Sequence, residues 1–335
     1  MSDGSTCLEI YRHDERPERA IRRVSRPSRA PGPGEALVEN HYAGVNAVYD
    51  MGLIRGTITR PDATLPTCFG FESVGRVLAV GSDVTELAVG QAVASVGFGR
   101  AYRERFTAPA ASLVPVTAAS PEALTIVPTG ASAYLAVTQT GELRDGDRVL
   151  VTAAAGGFGH VAVQIARERA DTVVAVVGSD AKAERVRALG VDGVINRRSE
   201  ELDDALRHWF PHGIDLVIDT SGGAAFDAAV RHLAAHGRLV SAGFTADASA
   251  PEAVTRPRIY HELYWKAASI RAFMNPLFAA EQPTARDALF DRLAAGQLEI
   301  WTHQPVFSGL DAVPEAIECL LAGTNTGKVI VQLTE

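Results

Sequence analysis

The sequence predicts an α/β protein in which a doubly wound parallel sheet is inserted into a mostly β domain. Three observations carry that expectation. Between residues 148 and 241, short β-branched runs alternate with segments of helical spacing, the pattern of buried parallel strands joined by crossover helices. The first 120 residues instead hold short β-like runs broken by Gly and Pro. From Glu299 onward the chain returns to that β style.

In chain order, the first part offers strands at Ala36–Asn40, Ser73–Val80, Ala92–Ser95 and Tyr102–Thr107. Arg16–Arg29 is rich in arginine but interrupted by acids and prolines, so it reads as a solvated edge rather than a binding patch. The parallel strands are expected at Val149–Val151, Thr172–Val177, Gly193–Ile195, Leu216–Asp219 and Arg238–Ser241, with Ser269–Phe273 as a sixth. Helices are expected over 181–189, 203–209 and 224–235, with Gly190 and Gly237 as C-terminal stops. The tail offers Glu299–Phe307, a helix near Val313–Leu321 and a strand over Lys328–Leu333. This order implies one domain interrupted by another, with a cleft between the two.

With 335 residues the chain can build two substantial cores, and 47% hydrophobic with 21% charged residues is ordinary for a water-soluble protein. A net charge of −8 argues against nucleic acid as a partner. No apolar run reaches membrane-spanning length, and Met1–Ile10 lacks a signal-peptide core. Cys7, Cys68 and Cys319 are far apart and show neither C-x-x-C pairing nor structural-zinc spacing. They read as small apolar fillers in a cytoplasmic protein.

The most informative stretch is Val149–His160. A strand enters a small-residue turn, and the following helix carries Val161, Ile165 and Ala166 inward. Ala154, Gly156 and Gly159 form an A-x-G-x-x-G variant of the dinucleotide-binding turn. Gly156 lets the backbone approach a pyrophosphate, Gly159 lets the helix lie close to the sheet, and the helix start supplies N–H groups. About 20 residues on, the second strand ends in Gly178-Ser179-Asp180-Ala181-Lys182. An NAD site places a carboxylate at that strand end. Gly178 has none, while Ser179 and Lys182 offer a hydroxyl and a cation, which favours NADP(H). Asp180 speaks against this, and Ser179 with Asp180 also suits a plain helix cap.

With these pieces in order, the chain resembles a zinc-independent medium-chain dehydrogenase/reductase of the quinone oxidoreductase branch, and within it the prostaglandin reductase 3 group. The resemblance spans essentially the whole chain. It is carried by Pro33-Gly34-Glu35-Ala36-Leu37-Val38, Gly44-Val45-Asn46-Ala47, Gly70-Phe71-Glu72-Ser73-Val74-Gly75, the 149–157 turn, and Asn325-Thr326-Gly327-Lys328-Val329. It implies a GroES-like catalytic domain over 1–124 and 270–335, and a Rossmann NADP(H)-binding domain over 125–269. It also implies NADPH-dependent reduction of an α,β-unsaturated carbonyl or a quinone, and a homodimer formed through the last strand of the nucleotide domain. The zinc branch has a cysteine where this chain reads Asn46-Ala47 and a histidine before the glutamate where it reads Phe71, so no metal is expected.

Carried over residue by residue, Ala155, Gly156, Gly157 and Phe158 fall on the pyrophosphate. Gly178, Ser179 and Lys182 fall on the 2′-phosphate; at Asn196-Arg197-Arg198 the chain departs from the Asn-Tyr-Lys or Asn-Tyr-Arg of relatives, so Arg197 stacks on the adenine, pairs with the 2′-phosphate or is a surface arginine that does neither. Thr129, Phe273 and Asn275 lie beside the nicotinamide, Ser221 and Phe244 follow the later strands, and Asn325 and Lys328 return from the tail. For Phe244 and Phe273, core packing is the competing reading. Asn46 is the candidate hydrogen-bond donor to the substrate, with a simple turn asparagine as the alternative. The chain departs from the family at Gly56-Thr57-Ile58-Thr59, where relatives carry a tyrosine, so Tyr49 or water becomes the candidate proton donor. The substrate loops are expected in 46–66 and 255–285, where Tyr260, His261, Tyr264 and Trp265 line a pocket or pack on a helix. Two other functions stay open: a biosynthetic tailoring enzyme acting on an unusual intermediate, possibly without net redox, and a cofactor-binding protein without turnover.

Overall fold

Alternate residues of Glu35–Gly44 turn inward (Ala36, Val38, Asn40), the period-2 burial of a strand with one face on a core. In the computed structural model, which describes residues 4–58, 64–245 and 259–334, this run is the hub of the first of two units. That unit comprises residues up to Pro128 together with those from Thr302; the second runs from Thr129 to Trp301.

The first unit opens with β1 (Gly4–Ile10), β2 (Ile21–Pro27), β3 (Glu35–Gly44), β4 (Thr67–Cys68), β5 (Glu72–Val80), β6 (Ala92–Val96), β7 (Arg105–Pro109) and β8 (Leu113–Pro115). A small sheet has the order β2-β1-β4, so the arginine-rich stretch does become an edge strand. Arg22 and Arg26 on β2 pair with Glu9 of β1, charges that also discourage edge-to-edge pairing. β1, β2 and the helix Ala47–Arg55 were not foreseen. That helix buries Ala47, Met51, Gly52, Leu53 and Ile54, so no amphipathic stripe announces it.

The second unit is the doubly wound sheet. It contains β9 (Arg148–Val151), β10 (Thr172–Val177), β11 (Gly193–Asn196), β12 (Ile214–Asp219), β13 (Leu233–Ser241) and β14 (Ser269–Ala272), all parallel, in the order β11-β10-β9-β12-β13-β14. Crossover helices are Gly159–Ala166, Asp180–Arg187, Leu202–Trp209 and Gly223–Arg231. The last of these stops before the expected residue 235. Leu233 is already a buried strand residue paired with Ile214, and the register then shifts so that Arg238 pairs with Leu216. Gly237 therefore sits inside an irregular strand rather than at a helix end.

The tail adds β15 (Phe307–Ser308), the helix Val313–Leu321 and β16 (Ile330–Gln332). Of the expected 299–307 strand only β15 and a single bridge from Thr302 to Lys328 form. The strand order β15-β16-β3-β5-β6-β8, with β7 on β3, makes one seven-stranded sheet from both ends of the chain. Val313, Ala316, Ile317, Val329 and Val331 share a core with Leu8, Ile10, Met51, Phe69 and Tyr102. The unit boundaries lie at Pro128/Thr129 and Trp301/Thr302, not at 124/125 and 269/270. The second moves because β14 extends the parallel sheet and the helix Gln282–Ala294 stays with it.

Candidate functional site

In the second unit the small-residue turn is held from beneath by a buried network. Thr152, at the end of β9, donates its hydroxyl to Asp219 Oδ1 (2.6 Å) at the end of β12. Asp219 also accepts the backbone N–H groups of Ser221 (3.3 Å) and Gly222 (3.0 Å), and Thr152 Oγ1 accepts that of Thr220 (3.2 Å). Two neighbouring strand ends are thereby fixed to each other through side chains. Ser221 is placed at the start of this second turn, half-buried.

The two motif glycines differ in kind. A Cβ on Gly159 would run into Ala153 O and lie 2.7 Å from Ala154 Cα, so the helix lies against the turn at glycine distance. A Cβ on Gly156 would meet only Ala153 O, at 3.2 Å, leaving the rest of its surroundings open. Ala155 is buried beneath the turn, while Gly156, Gly157 and Phe158 are half-buried, with Phe158 immediately before the helix Gly159–Ala166. A bare backbone ahead of a helix start fits a pyrophosphate.

His160 locks this geometry. Trp301 N–H donates to Nε2 (3.0 Å), so Nδ1 carries the proton and donates to Gly156 O (2.8 Å). The imidazole stacks on Trp301 with ring centres 5.3 Å apart. Burial, opposed by the bond to Gly156, lowers its pKa to about 4 and keeps the ring neutral.

At the end of β10, Ser179 Oγ accepts Lys182 N–H (3.4 Å) as the N-cap of Asp180–Arg187. Where a side chain at 178 would begin, the Arg197 guanidinium lies 3.7–3.8 Å away and that of Arg198 3.9 Å away. Asp180, the carboxylate that argued against a phosphate, accepts Asn196 Nδ2 at 2.8 Å. The strand end is thus a side-chain-free position beside two guanidiniums and a hydroxyl, a donor set that fits a phosphate monoester.

The remaining cofactor candidates of this unit lie on separate segments of the chain. Thr129 lies half-buried in a π-helical turn, Ile126–Gly130. Phe273 is buried and stacks on Phe278 at 5.0 Å, whereas Phe244 is 51% exposed, which removes the core-packing reading for it. Asn275 Oδ1 accepts from Gln282 Nε2. Trp265, on the helix Tyr260–Lys266, is 80% exposed, and His261 lies on the same helix. The side chains of Tyr260 and Tyr264, and residues 59–63 and 255–258 of the expected substrate loops, lie outside the described residues.

In the first unit the tail meets the Gly-x-Glu segment. Lys328 Nζ pairs with Glu72 Oε1 and donates to Val45 O at 3.2 Å, both side chains being buried. Glu72 occupies the space that glycine leaves at position 44, 2.7 Å from where a Cβ would stand. Lys328, expected to reach the cofactor, is therefore committed to an internal ion pair. Asn325 is also buried, donating Nδ2 to Gly327 O at 2.9 Å.

Next to this pair, Asp50 Oδ2 accepts the Tyr102 phenol (2.7 Å) and the Asn46 backbone N–H (2.9 Å). Burial pushes Asp50 up to about 7, against the pull of those two bonds. Burial, then the charge of Asp50, raises Tyr102 well above the ordinary phenol value. Asn46 is the N-cap of Ala47–Arg55, with Oδ1 accepting Tyr49 N–H at 3.4 Å. The cap consumes the amide oxygen, so the Nδ2 donors stay outside it. Tyr49 stacks on Phe71 at 4.8 Å and meets Phe98 edge-on; burial, then Glu72, raises its pKa and holds the phenol protonated.

Sequence reasoning missed Asp50–Tyr102, Thr152–Asp219 and the lock by His160. Each joins positions far apart in the chain, and no local pattern marks such partners. It also missed that Cys7 and Cys68 meet, their sulfurs 3.4 Å apart.

Comparison with known proteins agrees with this architecture. Residues 32–118 match the family described as Alcohol dehydrogenase GroES-like domain, and residues 157–279 the family described as Zinc-binding dehydrogenase. Mus musculus prostaglandin reductase-3 is 36% identical over 317 residues, covering 92% of this chain and 83% of the relative. A probable quinone oxidoreductase of Leishmania amazonensis is 35% identical over 306 residues, covering 90% and 89%. The structure of Escherichia coli quinone oxidoreductase complexed with NADPH superposes with a TM-score of 0.85 at 25% identity, covering 98% and 99%. The chain belongs to the medium-chain dehydrogenase/reductase family of oxidoreductases, in its zinc-independent, quinone oxidoreductase-like branch. Among the described residues no helix is long and apolar enough to cross a membrane.

Proposed function

We propose that this chain is an NADPH-dependent reductase of the C=C bond of α,β-unsaturated carbonyls (enones, enoyl thioesters) or of quinones. The observation that carries the reading is the end of β10. Gly178 presents no carboxylate there, the Arg197 and Arg198 guanidiniums stand beside it, and Asp180 is turned onto Asn196. The two reductase relatives and the NADPH complex of the E. coli enzyme support it.

The backbone of Gly156, Gly157 and Phe158 holds the pyrophosphate, and Ser179, Lys182 and Arg197 hold the 2′-phosphate. NADPH, when bound, supplies the hydride that reaches the β-carbon. Asn46 directs its Nδ2 donors to the substrate carbonyl, where negative charge grows, and as an amide does so without titrating. Tyr49, kept protonated by burial, supplies the proton for the α-carbon. We further infer a homodimer built on β14, the last strand of the parallel sheet and one of its two edges.

Calorimetric titration tests the cofactor assignment. NADPH is expected to bind the wild type at least tenfold more tightly than NADH. Arg197→Ser should cost about tenfold to a hundredfold in NADPH affinity, the loss of one charge-assisted bond, and leave NADH unchanged. A preference for NADH, or no consumption of NADPH with any enone, enoyl thioester or quinone, would overturn the reading.

A further inference from the structure

β1 and β4 run antiparallel with Glu9 opposite Cys68. Residues two apart on a strand share a face, so Cys7 and Glu9 project to the same side and Cys7 becomes the diagonal neighbour of Cys68. The two sulfurs lie 3.4 Å apart. Cys7 is fully buried, whereas Cys68 is only half-buried. An isolated bridge joins Cys7 to Arg103, and Arg22 and Arg26 neutralise Glu9. A buried thiol beside a more accessible one, set among arginines, is the arrangement of a resolving cysteine next to a reactive one.

We propose that Cys68 and Cys7 form an oxidation site for hydroperoxides, with Cys68 as the attacking thiolate and Cys7 as the resolving thiol. Cys68 sulfur attacks one peroxide oxygen; the S–O bond forms, the O–O bond breaks, and the departing alkoxide takes a solvent proton to become an alcohol. Cys7 sulfur then displaces the hydroxyl of the Cys68 sulfenic acid, forming the disulfide and releasing water that carries the Cys7 proton. Two thiols are oxidised, and one hydroperoxide is reduced to alcohol and water.

The electrostatics assign the same roles. The hydrogen bond shared with Cys7, and secondarily the charge of Arg103, lower Cys68 below the ordinary thiol value against its burial, while Cys7 is raised. Near-neutral thiols are the fastest attackers. Cys7, Glu9 and Cys68 also lie within the reach of one metal ion. Two guanidiniums already on the Glu9 carboxylate oppose a divalent cation there.

The test is peptide mapping of the full-length protein, without reduction, after treatment with one equivalent of tert-butyl hydroperoxide. Alkylatable thiols should fall from three to one, leaving Cys319, with a Cys7–Cys68 cross-linked peptide that dithiothreitol reverses. Cys7→Ser should leave a Cys68 sulfenic acid that dimedone traps, and Cys68→Ser should keep both remaining thiols alkylatable. Three alkylatable thiols after treatment, a cross-link involving Cys319, or stoichiometric zinc binding that abolishes the oxidation would each overturn the proposal.

Discussion

Lys328 and Glu72 illustrate how much a single residue's role depends on what lies opposite it. A buried ammonium left without its carboxylate keeps its desolvation cost and loses its compensation. Lys328→Met or Glu72→Gln is therefore expected to destabilise by about 3–5 kcal/mol in urea unfolding. The double variant Glu72→Leu/Lys328→Met should recover most of that loss; additive losses would contradict a directly coupled pair. His160 gives a prediction in pH. Its folded pKa of about 4 lies below the ordinary 6.5, so the unfolded chain binds the extra proton between those values. The stability the neutral ring contributes is complete above pH 6.5 and drains away as pH falls toward 4, by about 3 kcal/mol. The stability gap between wild type and His160→Gln should shrink by that amount from pH 7 to pH 4; a constant gap would refute the assignment. The turn glycines were legible because their job is local. Lys328 was read as a cofactor ligand because its partner lies 256 positions away, and one sequence holds no trace of that pairing.

Among elements, the parallel strands were the most legible, since burial on both faces leaves continuous β-branched runs such as Thr172–Val177. The helix Ala47–Arg55 was not, because it is enclosed by core on several sides and Asn46, its N-cap, reads from the sequence as a substrate donor or a turn asparagine. Contact between the turn and the helix Gly159–Ala166 yields a paired prediction. Gly159→Ala drives a methyl into the backbone of Ala153 and Ala154 and should cost about 1–3 kcal/mol of stability along with NADPH affinity. Gly156→Ala meets a single atom and should weaken NADPH binding far more than it lowers the thermal midpoint. Equal thermal losses in the two variants would show that the glycines do not divide their roles in this way.

For the whole molecule, the alternation of styles along the chain was enough to foresee one domain interrupted by another, but not where the interruption closes. Ser269–Phe273 reads as a sixth parallel strand and Ser269–Ala272 does pair with β13, but no local pattern shows that the helix Gln282–Ala294 after it stays with the same unit. The proposed homodimer follows from the position of that strand. Phe273 N–H donates inward to Ser241 O, so by strand alternation the N–H of Ala272 faces away from β13. Light scattering should give twice 35.5 kDa for the wild type, and Ala272→Pro, which deletes an outward donor, should shift the protein toward monomer. A monomeric wild type would rule the interface out.

The seven-stranded sheet draws strands from both sides of the parallel domain, and β16 sits between β15 and β3. On the ribosome, the nucleotide-type half therefore has all its strands in hand while the first-made half still lacks Val329, Val331 and the helix that cover its core. The segment made before the parallel domain must wait, partly exposed, for strands made after it. Ribosome stalling or premature termination after Trp301 should thus yield a properly folded middle flanked by a sticky, chaperone-dependent leading segment.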